Sequence, residues 1–138
     1  MQADVVVEDG AASIYRAPEQ PKPWGREVIF AAVDGKYVGK LIYVNAGHSL
    51  SCQFHREKEE TISLVSGECL IEYGTDPEDL VSVHFGPGDT IHLPAGVIHR
   101  IEAITDIMFA ECSTAHPGWR HDVVRLRDRY GREGTHVP

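Results

Sequence analysis

An all-β sandwich or barrel, folded as a single domain with little helix, is the fold class this sequence predicts, and three observations predict it. Apolar runs of strand length recur at even spacing between turn signals, and those runs are rich in Val, Ile, Tyr and Phe. No sustained 3.6-residue apolar period occurs before residue 115. The 138 residues are enough for one hydrophobic core and too few for two ordinary domains.

The elements follow in order. Residues 1–23 open on the β-like VVV at Val5–Val7 and close on APEQPKP, whose three prolines predict an extended lead-in, suited to adding a strand to a neighbour's sheet. The compact domain is expected from Trp24 to about residue 133, with 134–138 as a tail. Within it the runs EVIFAAV, YVGKLIYVN, HSLSCQFH, ETISLVS, ECLIEY, LVSVHF, TIHLPAG, HRIEAI and IMFAEC read as strands. Asp34-Gly35 between the first two is a hairpin signal, and GTDPED and GPGD mark later turns.

Charge and cysteine content narrow the function classes. Thirteen basic and twenty-one acidic residues give a formal charge of −8, which argues against general nucleic-acid binding because phosphate backbones demand a basic face. The segment Trp119–Glu133 is locally the opposite, with five arginines against three acids. Cys52, Cys69 and Cys112 show no CxxC spacing, and an odd count does not suggest a secreted disulfide framework; Cys69 and Cys112 read as core residues. No run approaches the length of a membrane helix, and the N-terminus lacks a basic region followed by an apolar one, so a cytoplasmic location is expected.

The chemistry-bearing residues gather in GHSLSCQFHREKEETISLVSG, Gly47 to Gly67, and in GPGDTIHLPAGVIHR, Gly86 to Arg100. Side chains two apart on a strand share a face, so Gln53 and His55 point the same way. Glu60 follows after the polar corner REKE and can return on the adjacent strand, while His99 sits just past a Pro-x-Gly turn. Two imidazoles, a carboxylate and an amide oxygen form a mixed N/O donor set suited to a divalent ion, Zn, Mn, Fe, Co or Ni. The competing reading is a buried hydrogen-bonded cluster without metal.

These spacings resemble the two motifs of the cupin superfamily. Gly47, Gln53, His55, Glu60 and Gly67 keep the spacing of the first motif, and Gly88, Pro94, Gly96 and His99 that of the second. Gln53 stands where the family motif has its first His, which is similar to the cupin domain of type II mannose-6-phosphate isomerases. PKPWGREVI at Pro21–Ile29 and DVVRLRDRYGR at Asp122–Arg132 look like the opening and closing stretches of that group, so the resemblance covers about residues 21–133. It implies a cupin jelly-roll β-barrel (a double-stranded β-helix), standing alone without the nucleotidyltransferase domain of the long form. It also implies a metal held by Gln53, His55, Glu60 and His99, and a homodimer.

The function expected from the resemblance is isomerisation of a sugar or sugar phosphate through a metal-polarised carbonyl and an enediol. Glu60, Lys58 and His92 are the candidate catalytic residues, with Glu111 a further possible base. Lys58, Arg100, Arg125 and Arg132 are the candidate substrate-binding cations, because arginine forks and lysine ammonium groups suit phosphate and sugar oxygens. Two readings compete: a cupin iron dioxygenase built on His55, Glu60 and His99, and a non-catalytic sugar-binding module. Trp24 and Trp119 are expected to pack, either of them over the barrel mouth.

Overall fold

The computed structural model describes Val5 and residues 7–136. Val6, in the middle of the VVV run, and the last two residues of the tail lie outside the described part. Eleven strands occur among the described residues: β1 (Glu19–Lys22), β2 (Gly25–Val33), β3 (Tyr37–Val44), β4 (Cys52–Phe54), β5 (Glu60–Ser66), β6 (Cys69–Gly74), β7 (Val81–Phe85), β8 (Thr90–Leu93), β9 (Ile98–Ala103), β10 (Ile107–Ser113) and β11 (Val124–Arg127). Among the described residues the helical content is one 3₁₀ turn at Trp119–His121, and no helix is long and apolar enough to cross a membrane.

The strands form two antiparallel sheets, one ordered β1-β2-β3-β10-β5-β8 and the other β11-β4-β9-β6-β7. Consecutive strands alternate between the sheets along much of the chain, which is the connectivity of a jelly roll. The apolar core between them is built from one side chain in two: Ile62 and Leu64 from β5, Ile71 from β6, Ile101 from β9 and Phe109 from β10. Alternation supplies these residues, since a half-buried strand sends every second side chain inward. A smaller cluster of Ile29, Ala32, Val38, Ala115 and Trp119 closes the end of the first sheet.

Two strands arise where the sequence offered no strand signal. Glu19–Lys22 pairs with Val28–Gly25 of its own chain, inside the segment read as a lead-in, so the ordered sheet begins ahead of Trp24. Pro21 is tolerated because β1 is the edge of its sheet, where a missing N–H breaks no ladder. Val124–Arg127 pairs with β4 and thereby carries the arginine-rich segment into the second sheet. HSLSCQFH, by contrast, is regular strand over three residues only, with an isolated bridge from Ser49 to Glu102.

Parity corrects one cysteine. Cys112 is exposed, because Glu111 and Ser113 on either side of it face inward; Cys69 is buried as expected.

The glycines of the two motifs have a backbone reason. Gly67 sits at φ +87°, and a Cβ there would lie 2.3 Å from the carbonyl oxygen of Asp106 and 2.8 Å from the Ile107 side chain. Gly67→Ala is therefore expected to cost the ~1–2 kcal/mol of a left-handed L-residue, plus the backbone clash, read as a fall in the urea midpoint at unchanged m-value. Gly96 joins the two motifs directly, its N–H donating to the carbonyl of His55 at 2.7 Å.

Candidate metal centre

The second sheet sets Arg125, Gln53, His99 and Tyr73 in one row across β11, β4, β9 and β6. Glu60 opens β5 on the facing sheet, and His55 follows β4 by one residue. His55 Nε2 lies 3.3 Å and His99 Nε2 3.1 Å from the same oxygen, Glu60 Oε1. All three residues are buried, and one ligand atom from each lies within 4.8 Å of the others.

The hydrogen bonds of the two rings show what this arrangement fits. His99 Nδ1 donates to the Val97 carbonyl at 3.1 Å, and His55 Nδ1 donates to the carbonyl of Asp122. A carbonyl can only accept, so each Nδ1 carries a proton and the neutral tautomer turns the Nε2 lone pair toward Glu60. Both Glu60 oxygens are buried without a hydrogen-bond partner. Acceptors facing one another at this distance require a cation among them, either a proton on an imidazole or a metal ion. Carbonyl-anchored imidazoles beside a carboxylate are the arrangement that holds metal-ligating rings in place.

In the protonated alternative, burial opposes charge on Glu60, but His55, His99 and Lys58 overcome it and hold the carboxyl well below its usual range. Burial likewise opposes charge on His99, and Glu60 reverses that, so its imidazole is raised. The cluster thus stabilises positive charge between its members. His55, Glu60 and His99 can hold a metal ion.

Gln53 lines a cleft together with His55, lies opposite His99 on the adjacent strand, and its Oε1 accepts from Ser51 Oγ at 2.5 Å. Lys58 is buried and places Nζ 3.6 Å from Glu60 Oε2 and 3.8 Å from Glu111 Oε2. Glu111 is raised above the usual carboxylate range by burial and then by the charge of Glu60, with Lys58 and Lys40 offsetting part of it. Arg125 and Arg132 line the same cleft, as do Trp24 and Trp119, both buried.

Two sequence candidates lie elsewhere. His92 is 55 % exposed on the outer face of β8, bonded to Thr61 Oγ1 and 3.7 Å from Glu59. Its neighbour Leu93 faces inward, so parity turns the imidazole out of the barrel. Arg100 follows the inward His99 and therefore points outward, where it pairs with Glu72 at 2.9 Å and Glu102 at 3.1 Å.

Three features escaped the sequence reading. Asp122 accepts the backbone N–H groups of Arg56, Glu57 and Lys58 at 2.8 to 3.0 Å, while its own carbonyl orients His55. It therefore fixes the corner that separates His55 from Glu60. Burial opposes its charge, but those three donors lower its carboxyl below the usual range. Glu27 bridges Lys22 at 3.4 Å and Lys40 at 2.5 Å, all inside the cleft. Lys40 and Glu111 are direct cross-strand partners, so alternating charges run from Lys22 through Glu27, Lys40, Glu111 and Lys58 to Glu60.

No family model matches the sequence, and no curated protein matches it. Solved structures do. The capsular polysaccharide assembling protein CapF from Staphylococcus aureus superposes with a TM-score of 0.72 at 17% identity, over 87% of this chain and 33% of that one. KdgF from Halomonas sp. gives 0.60 at 16%, over 70% of this chain and 86% of its own. A cupin superfamily protein from Desulfitobacterium hafniense gives 0.55 at 19%, over 64% and 74%. The chain spans about a third of CapF. At such identities the likeness is one of fold, and in its fold this chain resembles the cupin superfamily: two antiparallel sheets in a jelly roll.

Proposed function

We propose that this chain is a metal-dependent isomerase acting on a small sugar or sugar phosphate. The observation that carries the reading is the convergence of His55, Glu60 and His99 beside a cleft that His55 itself lines and whose wall adds two proton-handling groups, Lys58 and Glu111. Gln53 would complete the donor set with a neutral oxygen. The bound ion would supply Lewis acidity toward adjacent oxygens of the ligand.

The chain's own residues support the remaining work. Glu111 is buried, raised, and without a hydrogen-bond partner at Oε2, so its carboxylate suits taking a proton from the carbon beside a carbonyl. Lys58 Nζ stands beside both Glu60 and Glu111 and can hold or return a proton at the ligand oxygen. Moving one proton between adjacent carbons through an enediol needs these two groups and no leaving group. CapF has been solved with the inhibitor 3-isopropenyl-tropolone, an α-hydroxyketone whose adjacent oxygens resemble those of a hydroxy-carbonyl sugar. Exposed Phe30 and Tyr37 on β2 and β3 suit the homodimer that the resemblance implies.

Metal analysis of the purified chain should find close to one Zn, Mn, Fe, Co or Ni per chain. Mannose 6-phosphate and related aldose and ketose phosphates, followed by NMR, should interconvert. His55→Ala is expected to lose metal and turnover together. Glu111→Gln should keep the metal and slow turnover by about 10²–10⁴-fold, whereas His92→Ala should change neither. Iron with oxygen uptake would replace this reading with a dioxygenase, and sugar binding by a chain that takes up no metal would replace it with a binding module.

A further inference from the structure

The cleft is basic although the protein is acidic. Six cations line it, Lys22, Lys40, Lys58, Arg120, Arg125 and Arg132, against the three carboxylates of Glu27, Glu111 and Asp122, in a chain whose formal charge is −8. Most of these cations have carboxylate partners. Lys22 and Lys40 share Glu27, Lys58 lies between Glu60 and Glu111, and Arg132 is clamped to Asp128 at 2.8 Å.

Arg125 differs. It is only 6 % exposed, yet among the described residues no carboxylate lies within ion-pair distance of it. Among the described residues its guanidinium makes one hydrogen bond, from Nη1 to Thr135 Oγ1 at 3.0 Å, and its Nε is buried without a partner. A buried guanidinium left with unused donors is costly unless something anionic meets it. Burial and the neighbouring Arg132 act against its charge, and Asp128, whose carboxylate is clamped to Arg132, offsets only part of that. Its place in the row beside Gln53 sets it two strands from His99, about 10 Å at ordinary strand spacing.

We infer that Arg125, with Arg132 beside it and Lys22 lining the same cleft, forms an oxyanion subsite that takes the phosphate or carboxylate end of a small ligand whose other end reaches the metal centre. As a statement about substrate it rests on the reading under Proposed function, and it narrows that substrate to an anionic one. The fork of Arg125 offers Nε and Nη2 to one oxyanion, the pairing that arginine makes best. Arg100, which shares the sequence credentials of these cations, is excluded because it lies outside the barrel.

The test is isothermal titration of the full chain with inorganic phosphate, with gluconate and with sorbitol, before and after EDTA treatment. Phosphate or gluconate should bind and neutral sorbitol should not; the tighter of the two anions tells phosphate monoesters from sugar acids. Arg125→Gln should weaken anion binding roughly tenfold or more, Arg132→Gln should weaken it too, and Arg100→Gln should leave it unchanged. Arg125→Lys, which retains the charge, should bind better than Arg125→Gln and controls for folding. Absence of binding by both anions, an unchanged affinity in Arg125→Gln, or binding that disappears with EDTA or in His55→Ala would overturn the subsite. Anion binding at Arg125 without isomerase turnover would retire the isomerase and leave the subsite standing.

Discussion

Glu60→Gln should abolish stoichiometric metal binding while leaving the fold intact. The substitution keeps the shape of the side chain and removes the one negative charge that both Nε2 atoms face, at 3.3 and 3.1 Å. Changes to groups that merely support a ligand cost roughly 10–100-fold in metal affinity, so loss of the central carboxylate should exceed that. The measurement is metal content by mass spectrometry after dialysis, paired with calorimetric titration of Zn or Mn. A second readout is thermal. Metal at about 100 times its dissociation constant should stabilise the wild-type chain by ~2.7 kcal/mol, and Glu60→Gln should show no such gain. If the variant retains one ion per chain at wild-type affinity, Glu60 is not a ligand and the cluster is a hydrogen-bonded one. Asp122→Ala offers the complementary case. It releases the corner Arg56–Lys58 and should weaken metal binding without touching a ligand.

The contrast between what the sequence disclosed and what it hid follows from how side chains reach the interior. Gln53 and His55 were legible because they are two apart, and residues at that spacing share a face whichever way the strand turns. Glu60 was legible because the polar corner REKE lets the chain return on the adjacent strand, and His99 because a Pro-x-Gly turn precedes it. Facing is harder to read for one residue alone. His92 and Arg100 each neighbour an inward residue, and a shift of one position along a strand moves a side chain from cavity to solvent. Glu27 and Lys40 posed the reverse problem. Inside GREVIFAAV and YVGKLIYV a charged residue such as Glu27 or Lys40 reads as the solvent face, and nothing local announces that each has an opposite charge waiting on the adjacent strand. That pairing exists only after β2 and β3 align with Ile29 opposite Lys40, which sets Glu27 diagonally beside it. Arg125 and Arg132 were singled out with the segment that resembles the isomerase group, but their place in the cleft depends on β11 docking beside β4, a contact of residues some seventy positions apart.

The buried triad of Lys22, Glu27 and Lys40 should be the main source of acid sensitivity in the fold. Burial would push the Glu27 carboxyl up, but Lys40 and Lys22 outweigh it and hold the group at about 2, against 4.5 in an unstructured chain. A carboxyl depressed in the folded state stabilises the fold above its unfolded value, and that stability is lost as pH falls through the folded one. The relevant window therefore runs from about pH 4.5 down to about pH 2. The shift corresponds to about 3 kcal/mol as an upper figure. Urea unfolding across this window should show wild-type stability declining with acid, and the decline should be flatter in Glu27→Gln. At neutral pH the same variant strands two buried ammonium groups, for which removal of one partner from a buried pair costs ~3–5 kcal/mol. Lys40 retains Glu111 across the sheet, while Lys22 retains nothing comparable, so Lys22 should carry most of the penalty. Combining Glu27→Leu with Lys22→Met and Lys40→Met removes all three charges together and should recover most of the loss, since well-packed apolar replacements of buried ion pairs are often neutral. If the triple variant is no more stable than Glu27→Gln, the cost lies in packing rather than in stranded charge, and the triad does not govern the acid limb.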